Sequence, residues 1–134
     1  MHAQYRTIFV VDEDERALVF AKESLSDTYN VIAANSARTL LLLLENIIPD
    51  LIVLDIELTD MNAFRLIDAL KRSEVTENIP IITLLKSAHP EYEKQISSYR
   101  ATDWLVKPVT KEMLVMRIEK YLLAGVSIFD SHRA

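Results

Sequence analysis

A doubly wound α/β domain built on a parallel sheet is the fold this sequence predicts, and three observations point to it. Five short apolar runs alternate with stretches of helical spacing, giving five βα units in a row. The chain has 134 residues, half of them apolar, enough for one compact core. Three of the apolar runs break off at chemistry-bearing residues: Asp12 and Glu13, Asp55, and Lys107 followed by Pro108. In neighbouring parallel strands those ends meet at one edge of a sheet, where open α/β folds bind ligands. Three carboxylates and an ammonium there make a site for a divalent cation and a phosphoryl group.

The elements follow in order. Ile8-Phe9-Val10-Val11 is the first strand. Leu18, Ala21, Lys22 and Leu25 then stand at helical spacing, and Asp27 to Asn30 break the pattern before the second strand, Val31-Ile32-Ala33-Ala34. Ser36 can cap a helix whose interior is Leu40 to Leu44, and Pro49-Asp50 closes that unit ahead of Leu51-Ile52-Val53-Leu54. A third helix is predicted over 63–73, with Phe64, Ile67 and Leu70 on one face. Pro80 introduces Ile81-Ile82-Thr83-Leu84-Leu85, and a weaker helix runs over 90–100. Trp104-Leu105-Val106 is the fifth strand. The last helix covers 110–123, with Leu114, Ile118, Tyr121 and Leu122 on one stripe. Right-handed crossovers favour a doubly wound order. Residues 1–124 form the domain, and 125–134 are read as a tail or the start of a linker.

Composition excludes several functions. A net charge of −5 argues against a nucleic-acid surface, which needs a basic stripe. The absence of cysteine removes disulfides, thiolate metal sites and cysteine nucleophiles. The start of the chain lacks the apolar length of a signal peptide or membrane span, so a cytoplasmic protein is expected. His2, His89 and His132 show no ligand spacing and are read as solvated. Asp14 and Glu15 suit the first turn of a helix, where its dipole favours acids. A flavin or nucleotide site on the same topology is disfavoured: such loops present backbone amides from Gly, Ser and Thr, whereas the first loop is Asp-Glu-Asp-Glu and the chain holds one glycine.

Four segments carry a family likeness: Val10 to Asp14, Pro49 to Asp55, Ile79 to Ile82, and Trp104 to Pro108. In this order and at these separations, the chain resembles the receiver domains of two-component response regulators over nearly its whole length. The resemblance implies a flavodoxin-like (βα)5 three-layer sandwich with strand order 2-1-3-4-5, and an acceptor rather than a turnover enzyme. It implies an aspartyl phosphate on Asp55, phosphate contact from Lys107, and a cis Lys107–Pro108 bond. It also implies Mg²⁺ or Mn²⁺ held by Asp12, Glu13, Asp55 and the backbone carbonyl of Glu57. A carboxylate is a competent nucleophile for phosphoryl transfer, and Mg²⁺ accepts one or two carboxylates beside a phosphate oxygen. The implied partners are a histidine kinase or phosphotransfer protein and an output domain in a longer chain. A weak homodimer is expected through Tyr99, Trp104, and Met113 or Met116, with no role for nucleic acid or membrane.

The departures matter as much. The fourth strand of a receiver ends in Thr or Ser, whose hydroxyl bonds the phosphoryl oxygen; here that position is Leu85. Thr83 lies two residues earlier on the same strand face. Lys86 stands where a small residue is usual, Thr59 where a proline is usual, Ala63 in place of a glycine, and Arg100 near the usual loop glycine. Trp104 occupies the place of an aromatic that turns inward on activation. The alternative to a phosphoaccepting receiver is therefore a pseudo-receiver, an interaction or dimerisation module with weak or no phosphorylation switching.

Overall fold

The computed structural model describes the backbone of residues 5–133 and the side chains of residues 5–122. Strands and helices alternate strictly: β1 (Thr7–Val11), α1 (Glu15–Leu25), β2 (Asn30–Ala34), α2 (Ala37–Leu44), β3 (Leu51–Asp55), α3 (Ala63–Arg72), β4 (Ile81–Leu85), α4 (Pro90–Ser98), β5 (Asp103–Val106) and α5 (Lys111–Arg133). The five strands form one parallel sheet in the order β2-β1-β3-β4-β5.

Strand alternation divides the core in two. Phe9, Val11, Ile52, Leu54, Ile81 and Leu85 face one side and are covered by α2, α3 and α4. Ile8, Val10, Leu51, Val53, Ile82 and Leu84 face the other, under α1 and α5. Every residue of β3 and β4 is buried, which is why these two strands read as unbroken apolar runs.

Helix starts follow their local signals. Asp14 caps α1 by accepting from the Arg16 amide, Ser36 caps α2 by accepting from Thr39, and Asn62 caps α3 by accepting from Phe64 and Arg65. His89 is exposed and caps α4, its Nδ1 accepting from the Glu91 amide at 3.1 Å. His2 and the His132 side chain lie outside the described residues.

Two helix ends differ from the sequence expectation. Helix α4 stops at Ser98, and Arg100 sits at φ 67°, a left-handed conformation that a side chain disfavours by about 1–2 kcal/mol. The Arg100 guanidinium offsets this by donating to the Lys71 carbonyl at 2.6 Å. Helix α5 does not end near residue 123 but continues to Arg133, so the segment expected as a tail is helical. A lone Gly125 weakens a helix by only about 1 kcal/mol relative to alanine, and no proline follows to stop it. Among the described residues no helix is long and apolar enough to cross a membrane.

Candidate functional site

Register decides what meets at the carboxyl edge of the sheet. Val11 pairs with Leu54, so Asp12 and Asp55 leave adjacent central strands side by side. Leu85 pairs with Val106, and the next amide, Lys107 N, donates to the Leu85 carbonyl at 2.8 Å. The Lys107 side chain then crosses β4. Its Nζ lies 3.2 Å from Asp12 Oδ2 and 3.3 Å from Asp55 Oδ2. The Lys107–Pro108 bond is cis.

The electrostatics of this triad follow from burial. Asp12 and Asp55 are only 1% and 6% exposed, and two neighbouring carboxylates withdrawn from water repel unless a cation lies between them. Burial raises the Asp12 pKa above the ordinary carboxylate range, and the Asp55 charge adds to the rise. The amide of Asp14 and the Lys107 ammonium oppose it. Burial works to lower the Lys107 pKa, but the charges of Asp55 and Asp12 outweigh it and the net direction is upward. The second oxygen of each acid is held by its own loop: Asp12 Oδ1 accepts from Asp14 N at 2.9 Å, and Asp55 Oδ1 from Glu57 N at 3.2 Å.

Glu13 is placed elsewhere. Its Oε2 accepts from both the amide and the hydroxyl of Thr59, at 2.6 and 2.7 Å, across the mouth of the site to the β3–α3 loop. The next residue, Asp60, reaches the start of α2 and accepts from Ala37 N at 3.1 Å and Arg38 N at 2.9 Å, bonds that hold its carboxyl below the usual range. Consequently no group of three or more acidic or histidine side chains converges as a ligand set among the described residues. The donor chemistry still suits a hard cation. Two buried carboxylates lie side by side with backbone at hand, and the position between them already demands positive charge.

Beside the triad, α1 and α5 leave a cleft of about 570 Å³ floored by Val10, Val53 and Leu84 and opening at Asp12 and Lys107. An acidic pair bridged by an ammonium at the carboxyl edge of a parallel sheet, with an open approach, is an arrangement suited to receiving a phosphoryl group.

The family model described as "Response regulator receiver domain" matches residues 8–119. The chain belongs to the response regulator receiver family. A probable cyclic di-GMP phosphodiesterase of Vibrio cholerae is 32% identical over 116 residues, covering 87% of this receiver and 26% of that protein. An uncharacterised 14.6 kDa protein of Leptolyngbya boryana is 30% identical over 118 residues, covering 87% of the receiver and 90% of that protein. Among solved structures, the chemotaxis response regulator CheY4 of Vibrio cholerae superposes with a TM-score of 0.84 at 25% identity, over 89% of the receiver and 100% of CheY4. The flavodoxin-like order 2-1-3-4-5 is thus the fold of this receiver. Such domains are signalling modules rather than turnover enzymes, and the receiver spans only 26% of the phosphodiesterase-named relative.

Of the residues singled out in the sequence, the receiver brings together Asp12, Asp55 and Lys107. It sends Glu13 to Thr59, and it leaves Glu57 exposed with its amide on Asp55. Leu85 is fully buried in the core beneath α2, α3 and α4 and offers no donor, while Lys86 is exposed. Thr83 is also fully buried, and its hydroxyl has no partner among the described residues. Trp104 is half-buried against the same core as Tyr99 and Val106. Tyr99 stacks on Phe64 at 5.8 Å, whereas Met113 and Met116 are exposed.

Sequence reasoning missed two clusters. Asp103, at the start of β5, pairs with Arg117 at 3.0 Å and accepts from the Tyr121 hydroxyl at 2.5 Å. Arg117 also donates to the Trp104 carbonyl at 2.9 Å. Burial, then the hydrogen bond and charge of Asp103, push the Tyr121 pKa up to about 12. On the other face of the sheet, by the loop that enters β4, buried Lys71 donates to the carbonyls of Ile79 at 2.7 Å and Glu77 at 3.1 Å. Burial and the nearby Arg100 lower its pKa. Neither cluster has a spacing signature, because each joins a helix to a strand or loop outside it.

Proposed function

We propose that this receiver takes a phosphoryl group onto Asp55 from a histidine kinase or phosphotransfer protein, as a cytoplasmic element of a phosphorelay. The single observation that supports this most is the Lys107 ammonium lying within 3.3 Å of both the Asp12 and Asp55 carboxylates. An Asp55 oxygen attacks phosphorus, an acyl phosphate forms, and the bond from phosphorus to the donor breaks with the electron pair leaving on the donor. Lys107 follows the negative charge as it moves onto Asp55, acting as a point cation. Asp12, Asp55, the Glu57 carbonyl and Glu13 would hold Mg²⁺ or Mn²⁺, which when bound neutralises charge on the phosphoryl oxygens. The apolar cleft between α1 and α5 offers the donor an approach.

Incubating the protein with acetyl phosphate and Mg²⁺ should add one phosphoryl group by intact mass, and Asp55→Asn should abolish the addition. An addition that survives Asp55→Asn would move the acceptor elsewhere.

A second reading, a receiver whose phosphorylation barely switches its partner surface, is favoured by Leu85. A fully buried leucine stands where a hydroxyl would pull β4 toward the phosphate. On that reading the α4–β5–α5 face, with Trp104, Met113 and Met116, supports a weak homodimer whose population changes little on phosphorylation. Sedimentation with and without the phosphoryl group separates the two: a large shift excludes the second.

A further inference from the structure

Glu13 and Thr59 lie 46 residues apart, yet one carboxylate oxygen accepts two short hydrogen bonds from a single residue. Thr59 can do this because it carries both an amide hydrogen and a hydroxyl; a proline at that position would carry neither. The clasp joins the β1–α1 loop, which holds Asp12, to the β3–α3 loop, which follows Asp55. Asp60 ties the same loop to the start of α2 on its far side. The loop is therefore strapped at two adjacent residues by two acids, and only one of them, Glu13, is next to the acidic pair.

We infer that the Glu13–Thr59 clasp gates divalent-cation binding: Glu13 enters the cation's ligand set only by releasing Thr59, so Thr59 sets the metal affinity and metal loading frees the β3–α3 loop. The inference rests on the metal reading given above and goes beyond it by assigning Thr59 as a positioning residue acting through Glu13. The competition is positional: while Thr59 holds Oε2 with two donors, the Glu13 carboxylate stands apart from the Asp12–Asp55 pair and no three acids converge among the described residues. Release is local. The Asp60 cap on α2 lies outside the exchange, so the movement is confined to residues 56–59, which leave Asp55 at one end and reach the cap at the other. In this chain the loop after the acceptor then answers to the cation, whereas β4 ends in a leucine with nothing to offer a phosphate.

The test is calorimetric titration of Mg²⁺ into the full chain and three variants. Thr59→Ser keeps both donors and should match the parent. Thr59→Val loses the hydroxyl and should bind Mg²⁺ about threefold more tightly, and Thr59→Pro loses both donors and should gain about tenfold, the scale of solvent-exposed hydrogen bonds. By NMR, saturating Mg²⁺ should speed hydrogen exchange at the Thr59 amide while leaving the Arg38 amide, held by Asp60, unchanged. Equal affinities in the parent and the Ser and Val variants, with Thr59 exchange unmoved by Mg²⁺, would overturn the clasp even if the Pro variant misfolds. Absence of Mg²⁺ binding in all four proteins would overturn the metal reading itself, and the gate with it.

Discussion

Replacing Lys107 with methionine removes the ammonium that bridges Asp12 and Asp55 while keeping an unbranched side chain only one heavy atom shorter. At 3.2 and 3.3 Å each ion pair has a gross Coulomb energy of about 5 kcal/mol at an effective dielectric of about 20. Removing the ammonium also recovers its desolvation penalty, and the Lys107 side chain is 33% exposed, so water screens part of the interaction. The acids are far more buried than the lysine and are left facing each other. The net loss at neutral pH is expected to be about 2–4 kcal/mol, below the range for a fully enclosed pair. With a urea slope of about 1.5–2 kcal/mol per molar, the midpoint should fall by about 1–3 M. The pH dependence fixes the mechanism. The folded pKa of Asp12 already lies above its unfolded value of 3.8, so the associated stability is complete below 3.8 and is lost as pH rises through the folded value. Loss of Lys107 raises that folded value further, so the deficit of the variant should be largest near pH 7 and shrink as the pH approaches 4. Urea unfolding followed by Trp104 fluorescence at several pH values measures this. A Lys107→Met protein as stable as the parent at pH 7, or a deficit independent of pH, would refute the idea that the ammonium balances two buried charges.

The unpartnered Thr83 hydroxyl leads to the opposite expectation: Thr83→Val should leave stability unchanged or raise it by about 1–2 kcal/mol in denaturant unfolding, since a buried hydroxyl without a partner is a penalty. Leu85→Thr should destabilise by about 2–4 kcal/mol through lost packing and a newly buried hydroxyl, yet enlarge any phosphorylation-dependent change in sedimentation. Tyr121 should ionise near pH 12 in an ultraviolet titration, and because its folded pKa is raised, its link to Asp103 contributes fully below pH 10 and is lost as pH climbs through 12. Asp103→Asn should bring that ionisation back toward the ordinary tyrosine value.

The frame of this receiver was legible because its signals are local. Val10, Ile52, Ile81 and their neighbours form runs too apolar and β-branched to be anything but buried strands, and Asp14, Ser36 and Pro90 sit where caps and first turns need them. Asp12, Asp55 and Lys107 were legible as a group because three separate strands end on them. Glu13 shows the limit. Its contact with Thr59 on another loop has no sequence signal, because where a flexible side chain points depends on donors elsewhere. Arg100 carries the same lesson: an arginine at positive φ has no sequence signal, because its compensation lies on Lys71. The length of α5 escapes because residues 125–134 read as a tail or the start of a linker, whereas the helix runs on through Gly125 to Arg133.

The Asp103–Arg117–Tyr121 cluster has a mechanical consequence. Two successive turns of α5 are pinned to β5, one through Arg117 to a side chain and a main-chain carbonyl, the other through Tyr121 to the same carboxylate. A helix gripped at two levels can neither slide along the sheet nor roll on its axis without breaking both grips. It therefore leaves the domain with a fixed azimuth, and its 23 residues make a rod about 35 Å long. Anything fused to its far end inherits that orientation, and each residue inserted beyond Tyr121 should turn the fused body by about 100°. Helical phase rather than linker length would then decide which way a body fused to this helix faces.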